Sequence, residues 1–147
     1  MTAMTDAEGR ARRGCTACSF IHYDNPTPVV AAIVEHDGCV VLVRSKGWPS
    51  NWLGLVTGFL EREEEAADAV LREVEEELGL QARIEQFVGI YSFFQMNQII
   101  LAWHVVAAGE ITLGDELAAY RRIPIERVRP WPMGTGKALR DWLERRG

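Results

Sequence analysis

The chain has 147 residues, a length that predicts one domain with one sizeable hydrophobic core. Its formal net charge of −5 argues against nonspecific binding to nucleic acid. The sequence has no run of about 18 apolar residues, so a transmembrane helix is not predicted. Its three cysteines are an odd count that does not suggest a disulfide framework, so a reducing, cytoplasmic location is expected.

The first segments of the chain do not resemble a folded core. Residues 1–14 are polar and contain arginines, with no apolar segment after them, which argues against a secretory signal and predicts a flexible tail. Cys15 and Cys18 follow as a close pair, and residues 15–28 are interpreted as a partial cysteine knuckle that leads into the main domain. Residues 29–147 are expected to form that domain.

Strand and turn signals then alternate. Residues 29–35 and 39–44 are rich in Val and flank His36-Asp37-Gly38, which is a hairpin signal. Residues 52–57 form a short apolar run that predicts a third strand.

Residues 64–78 carry the strongest helix signal. The apolar residues of this segment recur at spacings of three and four and define one face: Ala67, Val70, Leu71, Val74 and Leu78. Gly79 follows as the expected C-terminal stop.

The second half of the chain predicts more strands and a last helix. Residues 82–94 and 98–107 are expected to pair as a hairpin, and residues 120–123 predict one further strand. Residues 124–128 predict a helical turn, and residues 134–146 predict an amphipathic helix. Strands on both sides of a central helix indicate an α/β fold, with a mixed sheet flanked by helices.

Three glutamates of the central helix suggest a metal site. Glu73, Glu76 and Glu77 lie within an arc of about 100° on a helix, where their charges repel each other. A divalent cation such as Mg²⁺ relieves this repulsion because it favours carboxylate oxygens. Arg72 could hold a neighbouring carboxylate by a bidentate pair. From spacing alone, a solvated acidic helix face is an equal alternative.

The wider spacing resembles the signature of the Nudix family. Gly58, Glu64 and the run Arg72-Glu73-Val74-Glu75-Glu76-Glu77-Leu78-Gly79-Leu80 match every fixed position of the pattern G-x5-E-x7-R-E-U-x-E-E-x-G-U, where U is apolar. The resemblance implies a Nudix-type α/β/α sandwich with a mixed β-sheet. It also implies hydrolysis of a phosphoanhydride, with Mg²⁺ or Mn²⁺ held by glutamates of this box.

The resemblance assigns roles by position within the box. It makes Glu73, Glu76 and Glu77 the metal-ligand set and Glu64 a supporting acid. Arg72 would orient Glu73 or a neighbour.

Two further roles follow from the same resemblance. Gly58 would make the turn that lets its loop approach the metal. Glu116, which lies in a later loop, is a further candidate for a catalytic and metal-binding acid. Asp115 is the competing choice. The general base is either a box glutamate or this later acid.

The N-terminal part resembles a particular branch of the family. Cys15-Thr16-Ala17-Cys18, Asn25-Pro26 and residues 29–34 resemble the junction between zinc ribbon and catalytic domain in NADH pyrophosphatases. Those enzymes use two cysteine pairs, and a closed zinc site needs four ligands. A knuckle without metal is therefore expected. The minority alternative is a zinc ion bound by Cys15, Cys18 and His22 and shared across a dimer.

Two other features qualify that likeness. Cys39 lies in a predicted strand and is expected to be a small core residue. Residues 92–97 lack the Ser-Gln-Pro-Trp-type motif of NADH pyrophosphatases, so a preference for NADH is not implied.

Several aromatic and polar residues are candidates for binding the substrate. An exposed Trp48 could stack on an adenine, and Phe94 and Gln95 could line a base pocket. Trp52 is expected to pack in the core.

The expected function is metal-dependent hydrolysis of a diphosphate bond in a nucleoside diphosphate linked to another moiety, such as ADP-ribose, NADH or a similar dinucleotide. The alternative is a catalytically silent nucleotide-binding Nudix sensor module. The expected partner is a small-molecule nucleotide, with no nucleic acid and no membrane, and a homodimer is plausible.

Overall fold

A small antiparallel sheet occupies the N-terminal part of the computed structural model, which describes residues 2–147. It contains the strands β1 (Thr2–Thr5), β2 (Ala11–Gly14) and β3 (Ile21–His22), in that order. The Asp6 carboxylate closes the β1–β2 turn by accepting hydrogen bonds from the backbone N–H groups of Glu8 and Arg10, at 3.0 and 2.8 Å. The segment that the sequence predicts as a tail therefore forms strands.

The main sheet has six strands. They are β4 (Thr27–His36), β5 (Cys39–Ser45), β6 (Val56–Phe59), β7 (Gln81–Phe93), β8 (Gln98–Ala108) and β9 (Leu117–Pro124). They run in the order β7-β8-β4-β5-β9, and β6 pairs with β4. The β4 and β8 strands are parallel and the other pairs are antiparallel, which confirms the predicted mixed sheet.

Two helices cover opposite faces of this sheet, α1 (Ala66–Leu78) and α2 (Gly136–Arg145). Because side chains alternate along a strand, β4 contributes to a core on each face. Val30, Ala32 and Val34 pack in the first core with residues of α1, whereas Val29, Ala31 and Ile33 pack in the second core with residues of α2. The α/β/α sandwich is confirmed. No helix within residues 2–147 is both long and apolar enough to cross a membrane.

Local signals account for the turn and the helix end that frame the site. Asp37 and Gly38 have φ values of 49° and 76°, as the two-residue hairpin turn between β4 and β5 requires. Gly79 has a φ of 69°, and its N–H donates to the carbonyl of Glu75, which ends α1 as predicted.

Two expectations about burial were wrong. Trp52 is 58% exposed, because β6 begins only at Val56 and the preceding residues form a loop in which the Trp52 N–H bonds to the carbonyl of Pro49. Cys39 is partly exposed, since it opens β5 directly after the hairpin turn and does not reach the core.

Candidate active site

Arg72 connects three glutamates of the box. Its Nε and Nη2 atoms donate to the two carboxylate oxygens of Glu64, at 2.7 and 2.9 Å. Its Nη1 atom donates to Glu73 Oε1 at 2.9 Å and to Glu76 Oε2 at 3.1 Å. The guanidinium holds the pKa of Glu64 below its usual value. The bidentate pair is therefore with Glu64, and the same arginine also orients the other two carboxylates.

The side chain of Glu73 passes directly over Gly58. A Cβ atom on residue 58 would overlap with the carboxyl group of Glu73, so only glycine leaves room for this approach. Gly58 lies within β6, paired with Val30, rather than in the turn that the family resemblance implies. Burial raises the pKa of Glu73, although its bond to Arg72 acts in the opposite direction.

Glu77 lies beside these groups without a positive partner. The residue is 9% exposed, and within residues 2–147 its carboxylate has no hydrogen bond or ion pair. Burial first, and then the negative charges of Glu73, Glu116 and Glu76, raise its pKa to about 7. A buried carboxylate in such a setting favours a proton or a cation near its oxygens.

The loop at residues 109–116 is fastened to the end of α1. The N–H groups of Thr112 and Gly114 donate to the carbonyls of Leu78 and Glu77, each at 2.9 Å. These carbonyls belong to the last turn of the helix, where no further helical N–H is present to bond them. The loop therefore completes the hydrogen bonding of the helix terminus, and these bonds fix the position of the loop relative to the end of α1.

This loop places Glu116 with the box glutamates. A second hydrogen bond holds the loop, because the carbonyl of Glu116 accepts from the N–H of Lys46 at 3.0 Å. The charge of Glu116 contributes to the raised pKa values of Glu73 and Glu77. Asp115 and Glu116 both line the cleft that the box glutamates line, and the choice between the two acids stays a prediction.

Four carboxylates thus come together, and their chemistry fits a hard divalent cation. They belong to Glu73, Glu76, Glu77 and Glu116. Of the cationic side chains in the described part of the chain, Arg72 alone contacts them. Across residues 2–147, no three His, Cys, Asp or Glu side chains are already arranged to hold a metal ion. Arg72 bonds to two of these glutamates, Glu73 and Glu76.

The carboxylates line one part of a cleft of about 1320 Å³. Apolar residues of the second core and its margin form much of the remaining wall: Val29, Leu42, Leu55, Phe93, Ile100 and Ile123. The cleft is large enough for a ligand of dinucleotide size, because pockets for smaller ligands occupy roughly 300–1,000 Å³.

Three tryptophans also line the cleft, at positions 48, 52 and 131. Trp48 is 38% exposed and lines the cleft, and its indole lies against Gly54, while its stacking on a base stays a prediction. Trp52 presents a more exposed ring to the same space. The expectation of a buried residue therefore overlooked a second indole that is available for stacking.

Phe94 and Gln95 do not line the cleft, which corrects their predicted position. Strand β7 ends at Phe93, and a 3-10 helix (Phe94–Met96) then turns the chain so that the Phe94 side chain is 86% exposed. Phe93 and Met96 face the cleft instead. Alternation along β7 carried the signal for Phe93, but the strand end was predicted one residue too late.

Cys15 and Cys18 lie in the loop that joins β2 to β3, and neither is among the residues that line the cleft. Backbone N–H groups of Ala17 and Cys18, together with the Cys18 side chain, lower the pKa of the Cys15 thiol. His22 Nε2 lies 3.8 Å from a carboxylate oxygen of Asp24. Within residues 2–147 these side chains form no three-ligand group, and zinc binding stays a prediction.

The raised pKa of Glu77 predicts how the metal-free protein responds to pH. A carboxyl whose pKa is higher in the folded state contributes stability that is present below its unfolded value of about 4.5. That contribution is lost as pH rises through about 7. The free energy of unfolding lost in this way is at most roughly 3 kcal/mol at pH 8. We expect urea unfolding in EDTA to show lower stability at pH 8 than at pH 5.

The variant Glu77→Gln isolates this effect. The lowered pKa of Glu64 affects stability only below about pH 4.5, whereas the raised pKa of Glu73 acts in the same direction as that of Glu77 and is retained in the variant. The variant is therefore expected to lose less stability between pH 5 and pH 8 than the native protein. Equal pH dependence in the two proteins would show that Glu77 is not the titrating group.

Comparison with known proteins agrees with this geometry. The NUDIX domain family matches residues 25–144. The chain is 28% identical over 134 residues to the NAD-capped RNA hydrolase NudC of Pseudomonas putida, covering 90% of this chain and 49% of that protein. It is 26% identical over 128 residues to the ADP-ribose pyrophosphatase of Methanocaldococcus jannaschii, covering 82% and 75%.

Structural similarity extends over nearly the whole molecule. A Nudix hydrolase from Nitrosomonas europaea superposes with a TM-score of 0.80 at 23% identity, covering 99% of this chain and 86% of that one. This likeness concerns the fold. The chain belongs to the Nudix family, as the sandwich, the box and the matched domain show. It spans about half the length of the NudC relatives that it matches.

Proposed function

We propose that this chain hydrolyses a diphosphate bond in a nucleoside diphosphate linked to another group, with Mg²⁺ or Mn²⁺ at the glutamate cluster. The observation that carries this proposal is the convergence of four carboxylates at one part of the cleft, contacted by a single guanidinium within the described residues. Family membership and the relatives named above support hydrolysis of a diphosphate.

The residues of the cluster have separable roles in this proposal. Glu73, Glu76, Glu77 and Glu116 would hold the cation. When bound, it supplies positive charge that offsets repulsion between the cluster and an anionic diphosphate and polarises a phosphate oxygen. Arg72 orients two of the ligands through its Nη1 atom.

Supporting bonds complete the arrangement. Glu64 holds the guanidinium of Arg72 by its bidentate pair and so acts on the ligands indirectly. Glu77 and Glu116 carry carboxylates without a protein cation beside them in residues 2–147, and one of the two accepts the proton of the attacking water.

The rest of the cleft favours a nucleotide with a second organic group. Trp48, Trp52 and Trp131 offer aromatic faces, and stacking of a base on such a face contributes about 1–3 kcal/mol. ADP-ribose and NADH are the first substrates to test. One relative is named an ADP-ribose pyrophosphatase, and others are named NAD-capped RNA hydrolases.

A substrate panel tests the proposal. The chain is incubated with ADP-ribose, NADH, a UDP-sugar or a deoxynucleoside triphosphate, in Mg²⁺, Mn²⁺ or EDTA, and the products are separated by ion-exchange chromatography. We expect AMP from ADP-ribose or NADH with a divalent cation and no product in EDTA. Hydrolysis of triphosphates alone would contradict the substrate class. Nucleotide binding without any product would favour the sensor alternative.

A further inference from the structure

Two arginines of the cleft have no role in the cluster described above. Three arginines line the cleft, Arg72, Arg127 and Arg129. Arg72 forms ion pairs with Glu64, Glu73 and Glu76. Arg127 and Arg129 are exposed, and within residues 2–147 their guanidinium groups form no ion pair and no hydrogen bond. They are therefore the cations of the cleft that remain available to a ligand.

The backbone that carries these arginines is fixed. The N–H groups of Arg127 and Val128 donate to the carbonyl of Pro124 at 2.8 and 3.1 Å, which forms a tight turn after β9. Val128 is buried in the second core, at 7% exposure. The two arginines flank this buried residue, so their Cα positions are set before any ligand binds, which limits the entropy lost on binding.

The arginines and the carboxylates approach the cleft from different layers of the sandwich. The box glutamates project from α1, whose apolar face packs in the first core, whereas Val128 packs in the second core on the opposite face of the sheet. The cleft therefore has an acidic part supplied from one layer and a basic part supplied from the other.

We propose that Arg127 and Arg129 bind a further phosphate that the substrate carries in addition to the diphosphate that is cut. The inference rests on the proposed function, because it places the diphosphate and its cation at the glutamate part of the cleft. A guanidinium binds phosphate oxygens in a bidentate geometry, and two of them two residues apart match a dianionic phosphate. An uncharged sugar or nicotinamide would leave both cations unpaired.

The chemical class that fits is a nucleoside diphosphate derivative with an extra phosphate on its ribose. Two matched pairs of compounds differ only in such a group. NADPH carries a 2′-phosphate that NADH lacks, and coenzyme A carries a 3′-phosphate that dephospho-coenzyme A lacks. We expect kcat/KM to be about tenfold or more higher for the phosphorylated member of at least one pair.

A double variant assigns any such preference to the arginines. In Arg127→Gln/Arg129→Gln the preference should disappear, because kcat/KM should fall further for the phosphorylated member than for the unphosphorylated one. The matched control is Arg121→Gln, because Arg121 is an exposed arginine of β9 that does not line the cleft. Circular dichroism establishes that each variant is folded, and the two single variants replace the double variant if it is not.

The outcomes separate this inference from the proposed function. No preference in either pair, or an equal loss for both members of a pair in the double variant, would overturn the phosphate assignment while leaving diphosphate hydrolysis intact. If none of the four compounds is cut, binding still tests the arginines, and the proposed function fails only if ADP-ribose is left intact as well. Calorimetry with adenosine 2′,5′-bisphosphate, adenosine 3′,5′-bisphosphate and AMP should then show tighter binding of a bisphosphate, and equal affinities would refute the assignment.

Discussion

Replacement of Glu77 by Gln is expected to abolish metal-dependent hydrolysis, with kcat lowered by about 100-fold or more. The amide keeps the volume of the side chain but removes its charge, from a position where burial and three neighbouring carboxylates already raise the pKa to about 7. The fold should be retained because the buried charge is itself unfavourable without a cation. The measurements are steady-state turnover and a thermal melt with and without Mg²⁺.

The same helix supplies a control for this variant. Glu75 lies two residues earlier in α1, is exposed and does not line the cleft. Glu75→Gln should keep full turnover, and Mg²⁺ should raise its melting temperature as it does for the native protein. Normal turnover in Glu77→Gln, or the same loss in both variants, would remove Glu77 from the proposed site.

Addition of one methyl group at Gly58 is expected to have the second large effect. In Gly58→Ala the new Cβ would overlap with the Glu73 carboxyl group, so the glutamate must move away from its place beside Arg72. A displacement of about 1 Å can lower activity roughly 100-fold, and the forced repacking costs about 1–3 kcal/mol of stability. Turnover and urea unfolding measure the two effects.

A double-mutant cycle identifies the cause of the stability loss. In a Glu73→Ala background the atoms that the new methyl group meets are absent, so Gly58→Ala should then cost little further stability. An equal cost in both backgrounds would point to the strand pairing of Gly58 with Val30, rather than to the glutamate.

Local sequence patterns were sufficient to predict the parts of the fold that contain the box. The spacing of apolar residues predicted α1, and a glycine after Leu78 predicted its end, because both features depend on the helix itself. The positive φ angles at Asp37 and Gly38 follow from their residue types in the same way. The grouping of the box glutamates is also local, since most of them lie on one helix.

Contacts between distant segments were harder to predict. The sequence indicated that Arg72 would orient a glutamate, yet its bidentate partner lies eight residues earlier, before the helix begins. Gly58 is required because a side chain from α1 crosses β6, which no pattern within either element reveals. The position of Phe94 depended on where β7 ends, because the 3-10 helix that begins at this residue turns its side chain out to solvent.

The two cleft arginines were even harder to predict from local sequence patterns. Arg127 and Arg129 follow β9 in an irregular segment, and their position in the cleft depends on Val128 being buried in the second core. The sequence contains these two arginines, and only the tertiary structure assigns them neighbours.

The attachment of residues 109–116 to the end of α1 has a consequence for insertions and grafts. Between the box and Glu116, extra residues in the β7–β8 hairpin would leave the hydrogen bonds from Thr112 and Gly114 to the helix carbonyls unchanged. A single residue inserted between Gly114 and Glu116 would instead shift the acid relative to the helix that anchors it. An engineered exchange of this acid between family members should therefore transplant the loop together with the last turn of the helix, as one cassette.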